Sequence, residues 1–119
     1  MPELQFYPPK PTHVATTINN GNSSTAAINI FGTTMVAIDL PASMDGTTLY
    51  IQGSIDDGTS FKRINDDAGN DYGITYNTTS SSRLYYINPA FFVGFDQIIL
   101  EADSNQTAAR SINIKVAAI

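Results

Sequence analysis

The stretch TLYIQGSIDDGTSFKRI, residues 48–64, decides the fold because two strand-like runs flank a turn. Apolar and polar positions alternate along residues 48–54, which is the period of a half-buried β-strand. The turn that follows contains Asp56, Asp57 and Gly58, residue types that favour tight turns. The pattern predicts a β-hairpin. One face of its first strand carries Leu49, Ile51 and Gly53, and the opposite face carries Tyr50 and Gln52.

The same succession of alternating runs and turns continues on both sides of this hairpin. No window of ten or more residues has the 3.6-residue period of a helix. Because most runs keep one polar face, the chain is expected to form two antiparallel sheets packed face to face. We therefore predict an all-β antiparallel β-sandwich with jelly-roll-like connections, and a barrel is the alternative. Strands are expected at residues 14–18, 25–31, 35–40, 48–54, 61–64, 72–76, 83–87, 97–102 and 111–117.

Two of these runs predict specific faces. In residues 35–40, Val36, Ile38 and Leu40 share one face, and Met35, Ala37 and Asp39 share the other. In residues 111–117, Ile112, Ile114 and Val116 are expected to face inward, with Asn113 and Lys115 outward.

Composition limits the function classes. The 119 residues suffice for one domain with its own core. The net charge is −5, and the six basic residues are scattered, which argues against binding to nucleic acid. Only 14% of residues are charged, against about 25% in typical domains, so uncharged polar residues supply the solubility. Cysteine is absent, which excludes disulfides and thiolate metal sites.

The first eleven residues contain four of the six prolines. They include neither the basic nor the apolar region of a secretory signal, and no stretch of the sequence is long enough for a membrane span, so we expect a soluble protein made in the cytoplasm, without membrane contact. We predict that residues 1–12 form an extended arm and that residues 13–119 form the single sandwich domain. The arm is expected to contact a subunit or a larger assembly through Leu4, Phe6, Tyr7, Pro8 and Pro9.

Catalytic groups are sparse. His13 is the only histidine, and no nucleophile and base are placed near it in the sequence. Residues 80–82 and 58–60 contain serines but lack the Gly-x-Ser-x-Gly frame of a nucleophile elbow. We therefore predict that the chain is not an enzyme and that it requires neither a cofactor nor a metal.

Acidic and aromatic residues leave two alternatives open. Asp66, Asp67 and Asp71 surround Gly69, and a calcium ion takes several such oxygen ligands. Their spacing does not match an EF-hand, and Asp also forms turns by bonding its own backbone, so we interpret the segment as a turn. Five tyrosines offer faces for a sugar ring, which makes a carbohydrate-binding module the second alternative: Tyr50, Tyr72, Tyr76, Tyr85 and Tyr86.

An ordered set of phrases resembles a known group of proteins. These phrases are residues 51–54, 57–61, 66–72, 87–94 and 110–116, and the resemblance covers residues 25–119 without the proline-rich arm. Taken together they resemble small β-rich structural proteins of tailed phages, of the capsid decoration or cement type.

The resemblance implies a non-enzymatic bacteriophage virion protein on the outer capsid surface. Such a protein reinforces the contacts between capsomers, and its expected partners are the major capsid protein and further copies of itself, with a trimer as the expected assembly. The alternatives are a tail, neck or fibre component and the carbohydrate-binding module. The acidic composition fits the outer surface, because an acidic protein lines packaged DNA poorly.

Overall fold

The computed structural model describes residues 12–118, and it is built from strands and one short 3₁₀ turn. The strands are β1 (Thr12–Ile18), β2 (Ile28–Asn29), β3 (Thr33–Leu40), β4 (Thr48–Ser54), β5 (Lys62–Arg63), β6 (Gly73–Thr75), β7 (Arg83–Tyr86), β8 (Gln97–Ala102) and β9 (Arg110–Ala118), and the 3₁₀ turn is Pro89–Phe91.

Two antiparallel sheets contain all of these strands, which confirms the all-β class and the sandwich. Sheet 1 has the order β1-β9-β3-β7. Sheet 2 has the order β2-β8-β4-β5, and β6 pairs with the same strand β4. The described strands therefore form two sheets rather than the single closed sheet of the alternative barrel.

The connections pass repeatedly from one sheet to the other. Each of β1, β3, β7 and β9 belongs to sheet 1 and is joined along the chain to strands of sheet 2. Only the connections β4 to β5 and β5 to β6 stay within a sheet. The ends of strands from both sheets therefore meet at each end of the sandwich.

Isoleucine-rich inner faces form the core. Ile51 on β4 and Leu100 on β8 are opposite one another and fully buried, and Ile38 on β3 and Ile114 on β9 are their counterparts in sheet 1. The predicted faces of residues 48–54 and 111–117 are confirmed, since Leu49, Gly53, Ile112 and Val116 are also buried.

The predicted faces of residues 35–40 are wrong at their start. Met35 is fully buried, although simple alternation places it on the other face of the strand from Ile38. Val36, which alternation places on the same face as Ile38, is partly exposed. The register of β3 on β9 shifts between Met35 and Ala37, which is the mark of a β-bulge. The extra residue reverses the alternation, so that Met35 and Ile38 both reach the core.

Strands β5 and β6 run along the same side of β4, separated by an inserted hairpin of residues 64–72. Arg63 pairs with Gln52, and Gly73 pairs with Tyr50 only two residues further along β4. The Asn65–Asp71 bridge closes the hairpin between them. The insertion therefore interrupts this edge of sheet 2.

One other predicted strand is shorter than expected, and the predicted apolar connection contains a short turn. The predicted strand 25–31 is reduced to Ile28–Asn29, although Thr25 still bonds to Leu100 of β8. The apolar connection after β7 contains the 3₁₀ turn, which the side chain of Asn88 caps by accepting from the Ala90 amide.

Phe92, which follows this 3₁₀ turn, fills the interior where the two sheets meet. Its side chain is fully buried, and its ring packs edge-on against Tyr72 at 5.5 Å between centroids. The neighbouring Phe91 contacts the same tyrosine at 4.7 Å. The connection from β7 to β8 thus contributes two buried side chains to the core, Ile87 and Phe92.

We predict that Phe92→Ala lowers the free energy of unfolding by about 3–5 kcal/mol, because it removes a buried ring and leaves a cavity. The matched control is Val93→Ala, whose side chain is 49% exposed and whose replacement is expected to cost less than about 0.5 kcal/mol. Urea denaturation of both variants measures the difference. Equal losses in the two variants would contradict the role of Phe92.

Candidate interaction surfaces

The predicted contact residues of the arm lie outside the described residues. These are Leu4, Phe6, Tyr7, Pro8 and Pro9, and the arm prediction therefore remains a prediction. The described chain begins at Thr12, which is already the first residue of β1.

His13 lies on the outer face of sheet 1, where its side chain is exposed. Its Nε2 atom is 2.7 Å from Oδ1 of Asn113 on the neighbouring strand β9. Within residues 12–118, no group of three or more His, Asp and Glu side chains is arranged to hold a metal ion. The structure gives His13 a cross-strand contact.

The acidic segment after β5 uses its side chains to build its own turn. Oδ1 of Asp66 accepts from the amides of Ala68 and Asn70, at 3.0 and 2.9 Å. The carboxylate of Asp71 pairs with the guanidinium of Arg63 at 3.0 Å. Asp67 is exposed beside them. This geometry agrees with the interpretation of the segment as a turn.

Arg63 joins this hairpin to the outer face of sheet 2. Its guanidinium lies 4.0 Å from the ring centre of Tyr50 and donates to Glu101 and Asp71, each at 3.0 Å. The bond to Glu101, followed by that to Asp71, raises the pKa of Arg63, and the bond from Arg63 lowers the pKa of Glu101. All three partners are at least partly exposed, so the cluster organises the surface more than it adds stability.

The five tyrosines do not share one face. Tyr76 is buried, and Tyr72 packs partly buried against the core. Tyr50 lies under Arg63 on sheet 2, whereas Tyr86 belongs to β7 of sheet 1 and is 81% exposed. The structure therefore provides no common tyrosine platform for a sugar.

One end of the sandwich is joined by a saturated polar network around Gln106. The side chain of Gln106 is almost fully buried. Its Oε1 accepts from the Asp45 amide and Arg110, and its Nε2 donates to the carbonyls of Asp45 and Ser104. Since a buried amide is costly without partners, these four bonds fix the loops that meet here. We call this the Gln106 end.

Neighbouring groups extend the Gln106 end. The amide and hydroxyl of Thr107, followed by Arg110, lower the pKa of Asp45. The hydroxyl of Tyr76 donates to the Asp45 carbonyl, and burial, together with the nearby Asp103 and Asp45, raises the pKa of Tyr76 to about 12. Gly46 has φ +89°, and a Cβ there would collide with the Asp103 carboxylate.

The opposite end presents apolar side chains. Phe31 is 77% exposed, Ile55 80% and Val93 49%, and each belongs to a different connection. Asp96 holds these connections together: its amide donates to the Ser54 carbonyl, and its carbonyl accepts from the Ile30 amide. We call this end of the sandwich, which carries Phe31, Ile55 and Val93, the apolar end.

Sequence reasoning missed both ends. Nothing in the pattern distinguishes Gln106 from a loop residue, because its partners are distant along the chain. The apolar end did leave a signal, since alternation places Phe31 on the outer face with Asn29.

Two further exposed apolar side chains lie on sheet 1. Leu84 and Tyr86 of β7 are 74% and 81% exposed, and they stand opposite Asp39 and Ala37 of β3. The same outer face carries His13 further along the sheet. This outer face of sheet 1 therefore exposes apolar area and few charged groups. Its described residues include no paired nucleophile and base.

No helix in the described part of the chain is long and apolar enough to cross a membrane. No family model matches the chain, and a search of curated proteins found no similar sequence.

Asp56 closes the loop between β4 and β5, and this gives a testable pH dependence. Its carboxylate accepts from the Ser60 hydroxyl, the Ser60 amide and the Ser54 hydroxyl, which lower its pKa to about 2. Because the folded pKa lies below the unfolded value near 3.8, the stabilisation is complete above about pH 4 and is lost as the pH falls toward 2.

We predict that Asp56→Asn reduces the melting temperature at pH 6 and removes part of its decrease between pH 4 and pH 2. Asp57→Asn is the matched control, because the contact that holds Asp57 is made by its backbone amide to Asp96. Calorimetry across this range measures both variants. A pH profile of Asp56→Asn parallel to that of the wild type would show that these bonds do not stabilise the fold.

Proposed function

We propose that this chain is a non-enzymatic bacteriophage structural protein that decorates the outer capsid surface and reinforces the contacts between capsomers. The observation that carries the proposal is the apolar end, where three exposed side chains lie on connections held together by Asp96. Exposed apolar side chains on neighbouring connections are a feature of protein contact surfaces. The sequence resemblance supplies the phage context.

A finer fold assignment supports this proposal. We propose that the sandwich is a jelly roll, an architecture used by viral capsid and lectin domains. When β5 and β6 are counted as one interrupted strand, eight strands fall into two sheets of four. The repeated crossing of the chain between the sheets favours this assignment.

Charge favours the outside of a capsid. The chain carries a net charge of −5, and none of the polar clusters described above gathers several basic side chains. Packaged DNA would repel such a surface, whereas contact with a protein shell requires no basic patch. The proposed partners are accordingly the major capsid protein and other copies of this chain, meeting as a trimer where capsomers join.

The arm would supply a second contact. Leu4, Phe6 and Tyr7 are apolar, and Pro8 and Pro9 reduce the entropy lost when an arm becomes ordered. Burial of one such side chain stabilises by about 1.5–3 kcal/mol, so three together can fix an arm on a neighbouring subunit or on the capsid.

The alternatives share part of this support. A tail, neck or fibre component would also use exposed apolar groups and would not need an active site. A glycan-binding module is favoured less, because the five tyrosines are divided between the core and both sheets.

We predict that a specific antibody labels the heads of intact phage particles. The apolar end would be covered by the shell, so the antibody should be raised against the Gln106 end to avoid competition. Negative-stain imaging with gold-labelled antibody measures the location. Labelling confined to tail tips would favour the fibre or glycan-binding alternative, and unlabelled particles would refute a virion role.

We predict that deletion of residues 2–11 leaves the melting temperature of the isolated domain unchanged but weakens particle attachment or oligomer formation. A second variant has the full length and all prolines but carries Ser in place of Leu4, Phe6 and Tyr7. It separates the contribution of the apolar side chains from that of the arm's length. A loss of stability in the isolated monomer would place the arm on its own domain. No effect on either property would defeat the proposal.

A further inference from the structure

The strand β1 forms an outer edge of sheet 1, and within residues 12–118 no strand pairs with its outer side. It pairs with β9 residue by residue, from Thr12 opposite Val116 to Ile18 opposite Arg110, without a bulge. An edge strand of seven residues leaves a row of backbone N–H and C=O groups free to pair with another strand.

The other sheet edges are protected in recognised ways. The opposite edge of sheet 1 is β7, which has four residues and carries Arg83. In sheet 2, β2 has only two residues, and the β5 and β6 side is interrupted by the 64–72 hairpin. Shortness, charge and interruption all hinder pairing with another chain. By contrast, β1 contains no Lys, Arg, Asp, Glu or Pro.

We propose that β1 pairs antiparallel with β1 of a second copy of this chain, about a two-fold axis at Ala15. The pairing would place Ala15 opposite Ala15, Val14 opposite Thr16, and His13 opposite Thr17. It would join two four-stranded sheets into one eight-stranded sheet. Such an interface uses the same surface on both copies, as two-fold interfaces require.

The length of the strand favours a second copy as the partner. Pro11 precedes β1 and has no N–H to donate, and the Asn20-Gly21 turn follows it, with Gly21 at φ +86°. Regular pairing is therefore limited to about seven residues, and the β1 of another copy matches this length at both ends.

The side chains of β1 are compatible with this arrangement. His13, Ala15 and Thr17 are exposed on the outer face, and Val14 and Thr16 are half-buried toward the other sheet. The β-branched residues suit cross-strand pairs, and no like charges face one another along the strand. The small side chain of Ala15 leaves room at the axis.

This inference adds a two-fold contact to the self-association in the proposed function, on which it rests, and it can fail separately because it concerns the purified chain alone. The β1 pair occupies one edge of sheet 1. The apolar end and the outer face of β7 remain available for the proposed trimer and capsid contacts.

The absence of cysteine allows a direct test on the full-length chain. Antiparallel partners have Cα atoms about 4.5–5.5 Å apart, within the range of a disulfide. Ala15→Cys is therefore expected to form covalent dimers under mild oxidation, seen on non-reducing gels and by mass spectrometry. The control is Ser111→Cys, exposed on the same face but one strand inward, where the two residues would be about 20 Å apart.

Charge variants provide an independent measurement. Ala15→Glu and Ala15→Lys each place like charges at the axis, so each alone should dissociate the dimer in sedimentation equilibrium, and an equal mixture should restore it. Circular dichroism checks that both variants remain folded. Three results would overturn the proposal: a monomeric wild type, equal cross-linking of Ala15→Cys and Ser111→Cys, or an oligomer whose mass Ala15→Glu does not change.

Discussion

Burial of two isoleucine-rich faces against each other is the interaction on which the rest of this structure depends. The chain has no cysteine, and the ion pairs of its described residues lie at partly exposed positions. Such pairs contribute little to stability, so packing between β3 and β9 on one side and β4 and β8 on the other must carry the fold. Phe92 and Tyr72 extend this contact to the connection that follows β7.

The two ends of the sandwich use this core differently. At the Gln106 end, buried polar groups bond to one another until their hydrogen-bonding capacity is used, which fixes the loops. At the apolar end, Asp96 holds the backbone while Phe31 and Ile55 remain exposed. The polar groups at one end are therefore satisfied within the chain, whereas the other end exposes apolar side chains. This asymmetry supports the proposal that the protein attaches through the apolar end.

Local periodicity explains how far the sequence predicted the fold. The faces of residues 48–54 and 111–117 follow from simple alternation, because these strands are regular and one side is buried. The bulge at Val36 could not be predicted, since it depends on how β3 pairs with β9. The predicted strands 61–64 and 72–76 were placed in the correct region, but their common partner β4 became visible only in three dimensions.

The candidate surfaces were less predictable than the fold. The tyrosines were identified by type, yet their distribution between the core and two sheets depends on the pairing of strands. Gln106 acquires its role from Asp45 and Arg110, which reach it through different connections. The position of β1 at an edge of sheet 1, among the strands of residues 12–118, likewise emerges only from the strand order.

Hydrogen exchange tests the central claim, that packing between the two inner faces holds the chain together. If it does, the slowest amides will lie in β3, β4, β8 and β9, because they exchange only on global unfolding. Amides of the Gln106 end, such as those of Asp45 and Thr107, will exchange faster than these strands. Slowest exchange at the Gln106 end, with rapid exchange in the four central strands, would contradict the account and place the stability in the polar network instead.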